Sequence, residues 1–418
     1  MNNGIRMSFQ NFRHMKVNTK KEKSIFRTIL AAMLLVLGIE ILLLVAALAI
    51  SHVSTQLNQN AVDILEKQVD NRESYLENLL TANQELSGLA ERINNTAQEL
   101  VDSGQIHIED IGKNKEDYLL LMKSISERML NNMRRKSITG IYVAFNTEDL
   151  DQRSPEDTIP ALYIRDLDPD SDSLPPEKNT DLLMERSPVE LVKSMGISTD
   201  KGWKSQMFVS DESTQNIIYP VFQEAFKDQG RLDAADYGHW TTEDYILDGD
   251  NRSAIAYSIP LILSDGTVYG VLGVELSLSY LEDMLPSEEL KDKDAGSYLL
   301  GIEKESDTEI TNVLISGADY SMVNGDKKVT EIYTEKNRQF IQNDMDEDIY
   351  CDVEYLTLYN TNTPFEQQRW VLTGIVRGKN LFRFSSTVEK TLIRGTLATL
   401  IAGIVGGILI SLYISRPV

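Results

Sequence analysis

The residue with the clearest potential for chemistry is Glu275, because it places a carboxylate inside an apolar stretch. It lies in the segment Gly273-Val274-Glu275-Leu276-Ser277, where large apolar residues alternate with smaller or polar ones. A carboxylate between small residues could hold the amine of a ligand through a charge-assisted hydrogen bond. The same carboxylate could instead pair with an arginine or lysine of its own domain, or face water.

Four aromatic side chains and one lysine could line a pocket together with Glu275. Small-molecule pockets are mostly apolar and contain a few well-placed polar groups. The candidates for the pocket walls are Trp203, Tyr219, Trp240 and Tyr257. Each of these aromatic residues alone could instead be part of the protein core. Lys201 could pair with a ligand carboxylate, although a lysine is a less directional partner than an arginine.

Motifs typical of enzymes and metal sites are missing from the sequence. There is no His-Glu-x-x-His, no Gly-x-Ser-x-Gly and no phosphate-binding glycine loop, and the single cysteine, Cys351, excludes an internal disulfide framework. Residues 166–177 carry acids at alternate positions, as a calcium loop does, but Ser171 stands where that loop requires glycine. We therefore expect a solvated acidic loop, no catalytic residues, no metal and no cofactor.

Glu275 belongs to a predicted hairpin that spans residues 251–285. Residues 254–259 alternate between small and large apolar side chains, which is typical of a strand with two unlike faces. Asp265-Gly266 supplies the turn chemistry of a short hairpin. The site residue would therefore lie on the second of two paired strands.

The second strand of the hairpin should have one packed face and one roomy face. The packed face is predicted to carry Val268, Leu272, Val274, Leu276 and Leu278, and the roomy face to carry Tyr269, Val271, Gly273, Glu275 and Ser277. Ser279 and Glu282 follow at capping-box spacing, so a helix is expected to start there with Ser279 as its cap.

The hydrophobic pattern along the chain predicts an α+β protein. A long helix is expected over residues 51–101, because this stretch has no proline and repeats a large aliphatic residue every seven positions. The other predicted elements are a helix over 116–136, strands over 138–145, 161–165, 297–303, 309–315, 350–359 and 369–376, a short helix over 330–341 and a last helix over 381–392. Helices that precede runs of strands predict antiparallel sheets flanked by helices. The polar break KDKDAG after Leu290 predicts a boundary between two sheet domains.

Two apolar stretches predict membrane helices, over residues 29–50 and 391–414, since about 20 apolar residues span a bilayer. Residues 1–28 form a tail with seven basic residues and one acidic residue, which predicts a cytoplasmic N-terminus. Arg416 beyond the second span predicts a cytoplasmic C-terminus. We expect a cell-membrane protein with two spans and with residues 51–390 outside the cytoplasm. The net charge of −23 argues against nucleic acid as a partner.

Two features inside the spans could mediate helix contacts. Gly403 and Gly407 form a Gly-x-x-x-Gly pattern, whose small residues let helices approach closely in lipid. Glycine is also simply common in membrane helices. Glu40 in the first span could contact a partner helix, or it could be a protonated side chain tolerated in a strongly apolar helix.

The layout of membrane helix, long helix, two sheet domains and second membrane helix resembles the double Cache sensor region of bacterial transmembrane receptors. The hairpin carries the most specific part of the resemblance, in the segments 257–261 (YSIPL), 265–266 (DG) and 270–277 (GVLGVELS). The resemblance implies two PAS-like sheets: a membrane-distal one within residues 51–290 that binds a small ligand, and a membrane-proximal one within residues 291–390. It also implies a homodimer.

The amino-acid-binding branch of this family has an Arg-x-Trp pair, later tyrosine and aspartate residues, and an acid in the final strand. Lys201-Gly202-Trp203 is similar to the first element with lysine in place of arginine, and Glu275 stands where the final acid would be. The middle element cannot be placed, and the nearby residues are Tyr219, Trp240 and Tyr245. The ligand therefore stays open among amino acids, amines and organic acids.

Residues 415–418 (SRPV) resemble the opening of a HAMP linker. This favours a fragment of a receptor: an extracytoplasmic small-molecule sensor that signals through its membrane helices to an output domain beyond residue 418. The output could be a diguanylate cyclase, a chemotaxis-type signalling domain or a histidine kinase. The alternatives are a complete membrane-anchored binding or assembly protein without an output and, less favoured, an ectoenzyme.

Overall fold

The computed structural model describes residues 5–415 apart from 137, 167–168, 170–180, 291–295, 304–308, 326, 337 and 344–346. Most of the acidic segment 166–177, most of the predicted domain break after Leu290 and residues 416–418 therefore lie outside the described residues. The chain forms two units, Leu65–Gly378 and the combination of Met1–Ile64 with Lys379–Val418.

Helices open the larger unit. They are the last twenty residues of α1 (Ile5–Gln84), then α2 (Ser87–Asp102) and α3 (Lys115–Met133). Leu89, Ile93 and Ala97 recur every fourth residue of α2 and are buried, as expected of an amphipathic helix that packs on a core. Asn114 caps α3, because its side chain accepts a hydrogen bond from the backbone N–H of Glu116 (3.0 Å). The two predicted helices are confirmed, with a break at residues 85–86 in the first.

The first sheet of this unit lies within residues 140–277 and has eight strands among the described residues. In chain order the strands of this region are β1 (Gly140–Phe145), β2 (Thr158–Ile159), β3 (Ala161–Asp166), β4 (Leu182–Arg186), β5 (Ser198–Lys204), β6 (Met207–Phe208), β7 (His239–Trp240), β8 (Tyr245–Ile246), β9 (Ser253–Ile262) and β10 (Val268–Ser277). The order across the sheet is β5-β4-β3-β1-β10-β9-β7, with β8 also paired to β9, while β2 and β6 form a separate ribbon. The sheet is antiparallel except that β4 and β5 run parallel.

Helices cover both faces of this first sheet. Four short helices follow α3 in the chain: α4 (Val189–Met195), α5 (Glu212–Ile217), α6 (Tyr219–Lys227) and α7 (Leu278–Met284). Helices α5 and α6 pack on the face that carries Tyr142, Tyr163 and Ala256, which we call the inner face. The opposite, outer face contacts α2, where the hydroxyl of Tyr269 donates to Oδ1 of Asn94 (2.8 Å). The predicted α+β class is confirmed.

A β-bulge changes the predicted faces of the second hairpin strand. The pairing of β10 with β9 shifts between Val268 and Gly270, and one extra residue reverses the direction of the side chains on one side of the shift. Val268 therefore packs with Val271 on the inner face, and Tyr269 turns to the outer face. A Cβ at position 270 would overlap the backbone oxygen of Ala144, so a glycine is needed where the strands approach. The prediction was wrong for Val268 and Tyr269.

The helix after the hairpin starts earlier than the capping-box pattern predicts. The residue at the N-cap is Ser277, and its hydroxyl accepts a hydrogen bond from the backbone N–H of Tyr280 (3.3 Å). Strand β10 thus continues directly into α7, and Ser279 lies inside the first turn. The prediction of Ser279 as the cap was wrong because an equally good cap lies two residues earlier, at the end of the strand.

The second sheet lies within residues 296–377. Its strands are β11 (Gly296–Glu303), β12 (Glu309–Gly317), β13 (Met322–Asn324), β14 (Lys327–Glu335), β15 (Arg338–Ile341), β16 (Ile349–Leu356) and β17 (Arg369–Arg377). Their order is β12-β11-β17-β16-β15-β14-β13, and β12 also pairs with β14, so that six strands form a closed ring. The strands predicted over 297–303, 309–315, 350–359 and 369–376 are confirmed.

The short helix predicted over residues 330–341 is wrong, since this segment forms most of the hairpin of β14 and β15. Ile332 pairs with Ile341 and Tyr333 with Phe340. β-branched and aromatic residues are enriched in strands, and cross-strand pairs of this kind stabilise a sheet. The pairing partners decided the structure where the local pattern was ambiguous.

The smaller unit contains two helical segments, namely the N-terminal part of α1 and the whole of α9 (Arg383–Ser415). Helix α9 follows α8 (Gly378–Leu381), which is a single turn. By length and composition, α1 and α9 each contain a stretch able to cross a membrane. Within this unit the hydroxyl of Ser54 lies 3.2 Å from that of Ser385. A Cβ at Gly403 would lie 3.1 Å from Cδ1 of Ile39, so this glycine of the Gly-x-x-x-Gly pattern lies at a helix–helix contact.

Candidate ligand-binding site

Glu275 is fully buried on the inner face and forms an ion pair with Arg165. The Nε and Nη2 atoms of Arg165 donate to Oε1 and Oε2 of Glu275, each at 2.7 Å. This is a bidentate pair, in which two parallel N–H groups of the planar guanidinium donate to the two oxygens of the carboxylate. Of the alternatives for Glu275, the structure therefore places it against an arginine of its own domain, and the predicted role towards a ligand amine stays a prediction.

A glycine between the two strands makes this ion pair fit. Gly140 on β1 pairs with Glu275 on β10 at one side and with Arg165 on β3 at the other. A Cβ at Gly140 would lie 3.1 Å from Oε1 of Glu275 and 3.2 Å from the ring of Tyr163. Because glycine has no side chain, Arg165 on β3 can cross over β1 at this position and contact Glu275 on β10.

Two buried tyrosines complete the surroundings of the Glu275 carboxylate. The hydroxyls of Tyr163 and Tyr245 both donate to Oε2 of Glu275, the latter at 3.0 Å, and lie 2.7 Å from each other. Burial in the core is the main cause that holds the pKa of both phenols well above the usual range, and the negative charge of Glu275 is the second cause. Both phenols therefore stay protonated and act as donors to the carboxylate.

A second arginine extends this arrangement towards the edge of the sheet. The Nη2 atom of Arg252 donates to Oε1 of Glu185 (2.9 Å) and to Oδ2 of Asp200 (2.6 Å), and its Nε donates to Asp250 (3.0 Å). Asp250 in turn accepts from Nη1 of Arg165. We call this set the charged cluster; its six members are Arg165, Glu185, Asp200, Asp250, Arg252 and Glu275.

Glu185 owes its position to an irregularity of β4. Met184 pairs with Ile164 and Arg186 with Tyr163, so Glu185 is an extra residue in a β-bulge. Bulges redirect a side chain and are common beside functional sites. The carboxyl group of Glu185 is fully buried, and within the described residues its Oε2 has no hydrogen-bond partner.

Burial dominates the electrostatics of Glu185. Desolvation raises the pKa of this carboxyl group to about 7, because the guanidiniums of Arg165 and Arg252 only partly offset the loss of water. Carboxylate oxygens of Glu185, Asp200 and Asp250 lie within 4.8 Å of one another, a spacing at which three carboxylates can hold a metal ion. Here the donor atoms face the guanidinium of Arg252 instead.

Arg186 is buried beside the charged cluster. Its guanidinium donates to the backbone oxygens of Glu185 (2.8 Å), Gly202 (3.0 Å) and Asp248 (2.8 Å), while its Nε has no partner among the described atoms. Burial lowers the pKa of this group. A buried guanidinium bound to carbonyl oxygens ties β4 to β5 and to the loop that carries Asp250.

Trp240 and Tyr257 lie on the opposite side of the sheet from Glu275. On β9, Ala256 pairs with Glu275, and the next residue, Tyr257, pairs with Val274. Since neighbouring side chains of a strand point to opposite faces, Tyr257 lies on the face opposite Glu275. The rings of Trp240 and Tyr257 contact each other with centroids 5.4 Å apart, and the backbone N–H of Trp240 donates to the hydroxyl of Tyr359. The structure does not bring these two aromatic residues into one pocket with Glu275.

The three remaining predicted residues lie nearer the surface. Trp203 and Lys201 are on β5, and Trp203 is half-buried with its Nε1 donating to the hydroxyl of Ser187 (3.3 Å). Lys201 is exposed and follows Asp200 of the charged cluster in the chain. Tyr219 begins α6, and its hydroxyl donates to Asp151 at the surface. Lys201 and Trp203 thus share strand β5 with Asp200 of the charged cluster, whereas Tyr219 lies on a different element.

Sequence reasoning missed six residues of this site. They are Tyr163, Arg165, Glu185, Asp200, Asp250 and Arg252. One available signal was the charged residue Arg165 in the otherwise apolar strand 161–165, since a charge on a buried strand requires a partner. Its partner lies 110 residues away, and only the strand register shows it.

Comparison with known proteins finds similar solved structures. No protein-family model and no curated protein match the sequence. The periplasmic sensory domain of the Campylobacter jejuni chemoreceptor Tlp1 is similar, with 12% identity and a TM-score of 0.43, over 78% of this chain and 98% of the other.

Two further similar structures contain amino acids. The ligand-binding domain of the Campylobacter jejuni chemoreceptor Tlp3 in complex with L-valine has 14% identity and a TM-score of 0.38, over 79% of this chain and 98% of the other. That of the Pseudomonas fluorescens chemoreceptor CtaA in complex with L-alanine has 12% identity and a TM-score of 0.31, over 78% and 99%. All three of these structures are sensory or ligand-binding domains of chemoreceptors. At this level of similarity neither a ligand nor a site carries over to this chain.

Proposed function

We propose that the chain is the extracytoplasmic sensing part of a transmembrane signalling receptor, in which the first sheet domain binds a small organic ligand. Candidate ligands are amino acids, amines and organic acids. The domain binds its ligand and does not transform it chemically. The output would be a diguanylate cyclase, a chemotaxis-type signalling domain or a histidine kinase.

The observation that carries this proposal is the charged cluster on the inner face of the first sheet. Burying charged groups costs free energy unless each is fully paired, yet Glu185 and Arg186 each keep a buried polar atom without a partner among the described residues. Incompletely satisfied buried charges with shifted pKa values are typical of binding and catalytic sites. A ligand with complementary polar groups would satisfy these atoms.

The membrane arrangement is the second part of the proposal. Helices α1 and α9 would both cross the membrane, with both termini in the cytoplasm and the two sheets outside. Two copies of the chain would form the working receptor. A ligand can shift the membrane helices only if it binds two arrangements of the receptor unequally.

A thermal-shift screen tests the proposal directly. The full chain in lipid nanodiscs would be unfolded by heat, with and without amino acids, amines and organic acids, while tryptophan fluorescence is recorded. A ligand that binds only the folded state raises the midpoint of unfolding, by an amount that grows with its concentration. We expect at least one of these classes to do so.

A matched pair of variants locates the binding site. Glu185→Gln changes the cluster with little change in volume, and it should weaken the response to the ligand found. Glu224→Gln, on α6 outside the cluster, should leave the response unchanged. If no compound of the three classes shifts the midpoint, or if both variants respond as the wild type does, the proposal is wrong.

A further inference from the structure

Three carboxylates surround the guanidinium of Arg252 near the edge of the first sheet. They belong to Glu185 on β4, Asp200 on β5 and Asp250 in the loop before β9, and we call them the carboxylate cup. Arg252 reaches Glu185 at 2.9 Å, Asp200 at 2.6 Å and Asp250 at 3.0 Å. One planar cation thus fills a site built from three separate chain segments.

The carboxylate cup holds more negative charge than Arg252 neutralises. Arg165 forms a bidentate ion pair with Glu275. Its Nη1 donates to Asp250 of the cup and lies 3.8 Å from Oε1 of Glu185. The Oε2 atom of Glu185 is buried and lacks a partner among the described residues. In the ionised form of Glu185 this atom can accept a hydrogen bond that Arg252 does not supply, so the cup has capacity for another donor.

Arg252 enters the cup from the solvent side. Its side chain is 29% exposed, whereas that of Glu185 is fully buried and that of Asp250 is 5% exposed. A long side chain on a loop can leave such a site by rotation about its own bonds, without movement of the strands that carry Glu185 and Asp200. The floor of the cup is therefore fixed and its occupant is replaceable.

The chemistry of the cup favours an organic cation over a metal ion. A calcium ion requires six to eight oxygen ligands, and the oxygens of Asp250 are already shared by Arg165 and Arg252. A guanidinium or primary ammonium group carries several N–H donors and can satisfy carboxylates at the distances seen here. Such a group can also donate to the free oxygen of Glu185.

We propose that Arg252 is an internal occupant of the ligand site, and that a ligand binds by placing its own ammonium or guanidinium group in the carboxylate cup and displacing Arg252. This rests on the proposed sensor function and narrows its ligand to a cationic class. Displacement would free the loop before β9, the strand that pairs with β10 beside Glu275. In the unliganded state Arg252 would stabilise the loop before β9, and this stabilisation would be lost when the ligand displaces Arg252.

The test uses the full chain in nanodiscs with an emptied cup. Arg252→Ala should lower the thermal midpoint, and methylguanidinium or methylammonium at millimolar concentration should restore part of it in a saturable way. Since Arg252 competes for the same site, the wild type should need at least about tenfold more probe for a half-maximal shift. Tetramethylammonium at equal ionic strength, which has no N–H donor, should restore nothing.

Two further variants keep the test decisive. In the Arg252→Ala background, Asp200→Asn removes one charged acceptor and should weaken probe binding by about tenfold to a hundredfold, the range expected for one hydrogen bond to a charged group. Arg231→Ala removes an arginine that is 72% exposed and lies beside Asp228 on another surface, and this variant should respond to the probes as the wild type does. The assignment is overturned if Arg252→Ala responds to methylguanidinium no more than to tetramethylammonium. If Arg252→Ala does not fold, Arg252→Gln, which removes the charge and keeps most of the volume, takes its place, and a response to methylguanidinium no greater than that to tetramethylammonium overturns the assignment.

The outcomes separate this assignment from the proposed function. A compound that stabilises Arg252→Ala equally with and without Asp200→Asn would leave the sensor function standing and remove the cup as its site. Binding of methylguanidinium to the cup in a chain that no amino acid, amine or organic acid stabilises would support the cup and contradict the sensor function.

Discussion

Replacing Arg165 by methionine should strongly destabilise the larger unit, because the Glu275 carboxylate would lose its buried counter-ion. The side chains of Arg165 and Glu275 are 3% and 1% exposed, so water cannot take over the role of the missing guanidinium. Removing one partner of a buried pair costs about 3–5 kcal/mol. Tyr163 and Tyr245 continue to donate to Glu275, and we therefore expect a loss of about 3 kcal/mol, at the lower end of that range.

The double variant Arg165→Met with Glu275→Leu should recover most of this loss. An apolar pair of similar volume in place of a buried ion pair is often neutral or stabilising. Asp250 keeps Arg252 as a partner, and the two tyrosine hydroxyls keep each other. The interaction energy between the two substitutions should therefore be at least about 2 kcal/mol.

Urea unfolding of the chain in detergent, followed by tryptophan fluorescence, measures these free energies. The exposed pair Lys113 and Glu148, whose side chains are 61% and 44% exposed, provides the matched control. The corresponding substitutions there should change the free energy of unfolding by no more than about 1 kcal/mol. If the effects of Arg165→Met and Glu275→Leu simply add, the description of the two residues as one buried pair is refuted.

Three further predictions follow from other residues. The raised pKa of Glu185, about 7, means that the folded state keeps a proton that the unfolded chain releases, so stability should fall as the pH rises from about 4.5 to 7, by up to about 3 kcal/mol. Glu185→Gln should lack this dependence in unfolding measured from pH 5 to 8, and an identical profile in both proteins would contradict the assignment. Gly140→Ala should cost about 1–3 kcal/mol by overpacking, since its Cβ would press on Glu275 and Tyr163. Gly88→Ala in α2, where a Cβ would meet only the end of the Arg92 side chain at 3.8 Å, should stabilise by about 0.5–1 kcal/mol. Ser277→Ala should cost about 1 kcal/mol in urea unfolding through loss of the α7 cap, and no change would show that Ser277 does not cap the helix.

The sequence predicts those elements whose apolar period is long and regular. The seven-residue repeat within 51–101 and the alternation within 254–259 each correspond to an observed helix or strand. These patterns record which side of an element is buried, so they hold whatever the element packs against. The segment 330–341 lacks such a pattern. Its strand structure depends on the pairing of β14 with β12 and with β15.

The candidate site was only partly predictable for a related reason. Glu275 stands out locally, as a carboxylate in an apolar strand. Its role depends on Gly140 and Arg165, which only the register of three strands brings together. The bulges at Glu185 and at Val268 each change the direction of a side chain, and a single inserted residue leaves no distinct signal in the apolar pattern.

Hydrogen–deuterium exchange of the full chain in nanodiscs tests the central claim most directly, namely that a small ligand binds at the charged cluster of the first sheet. It would be measured with and without the compound that gives the largest thermal shift. The account predicts slower exchange in β4, β5 and the loop 247–252, which carry Glu185, Asp200 and Asp250. Protection confined to the second sheet, residues 296–377, with no change in these segments, would contradict it.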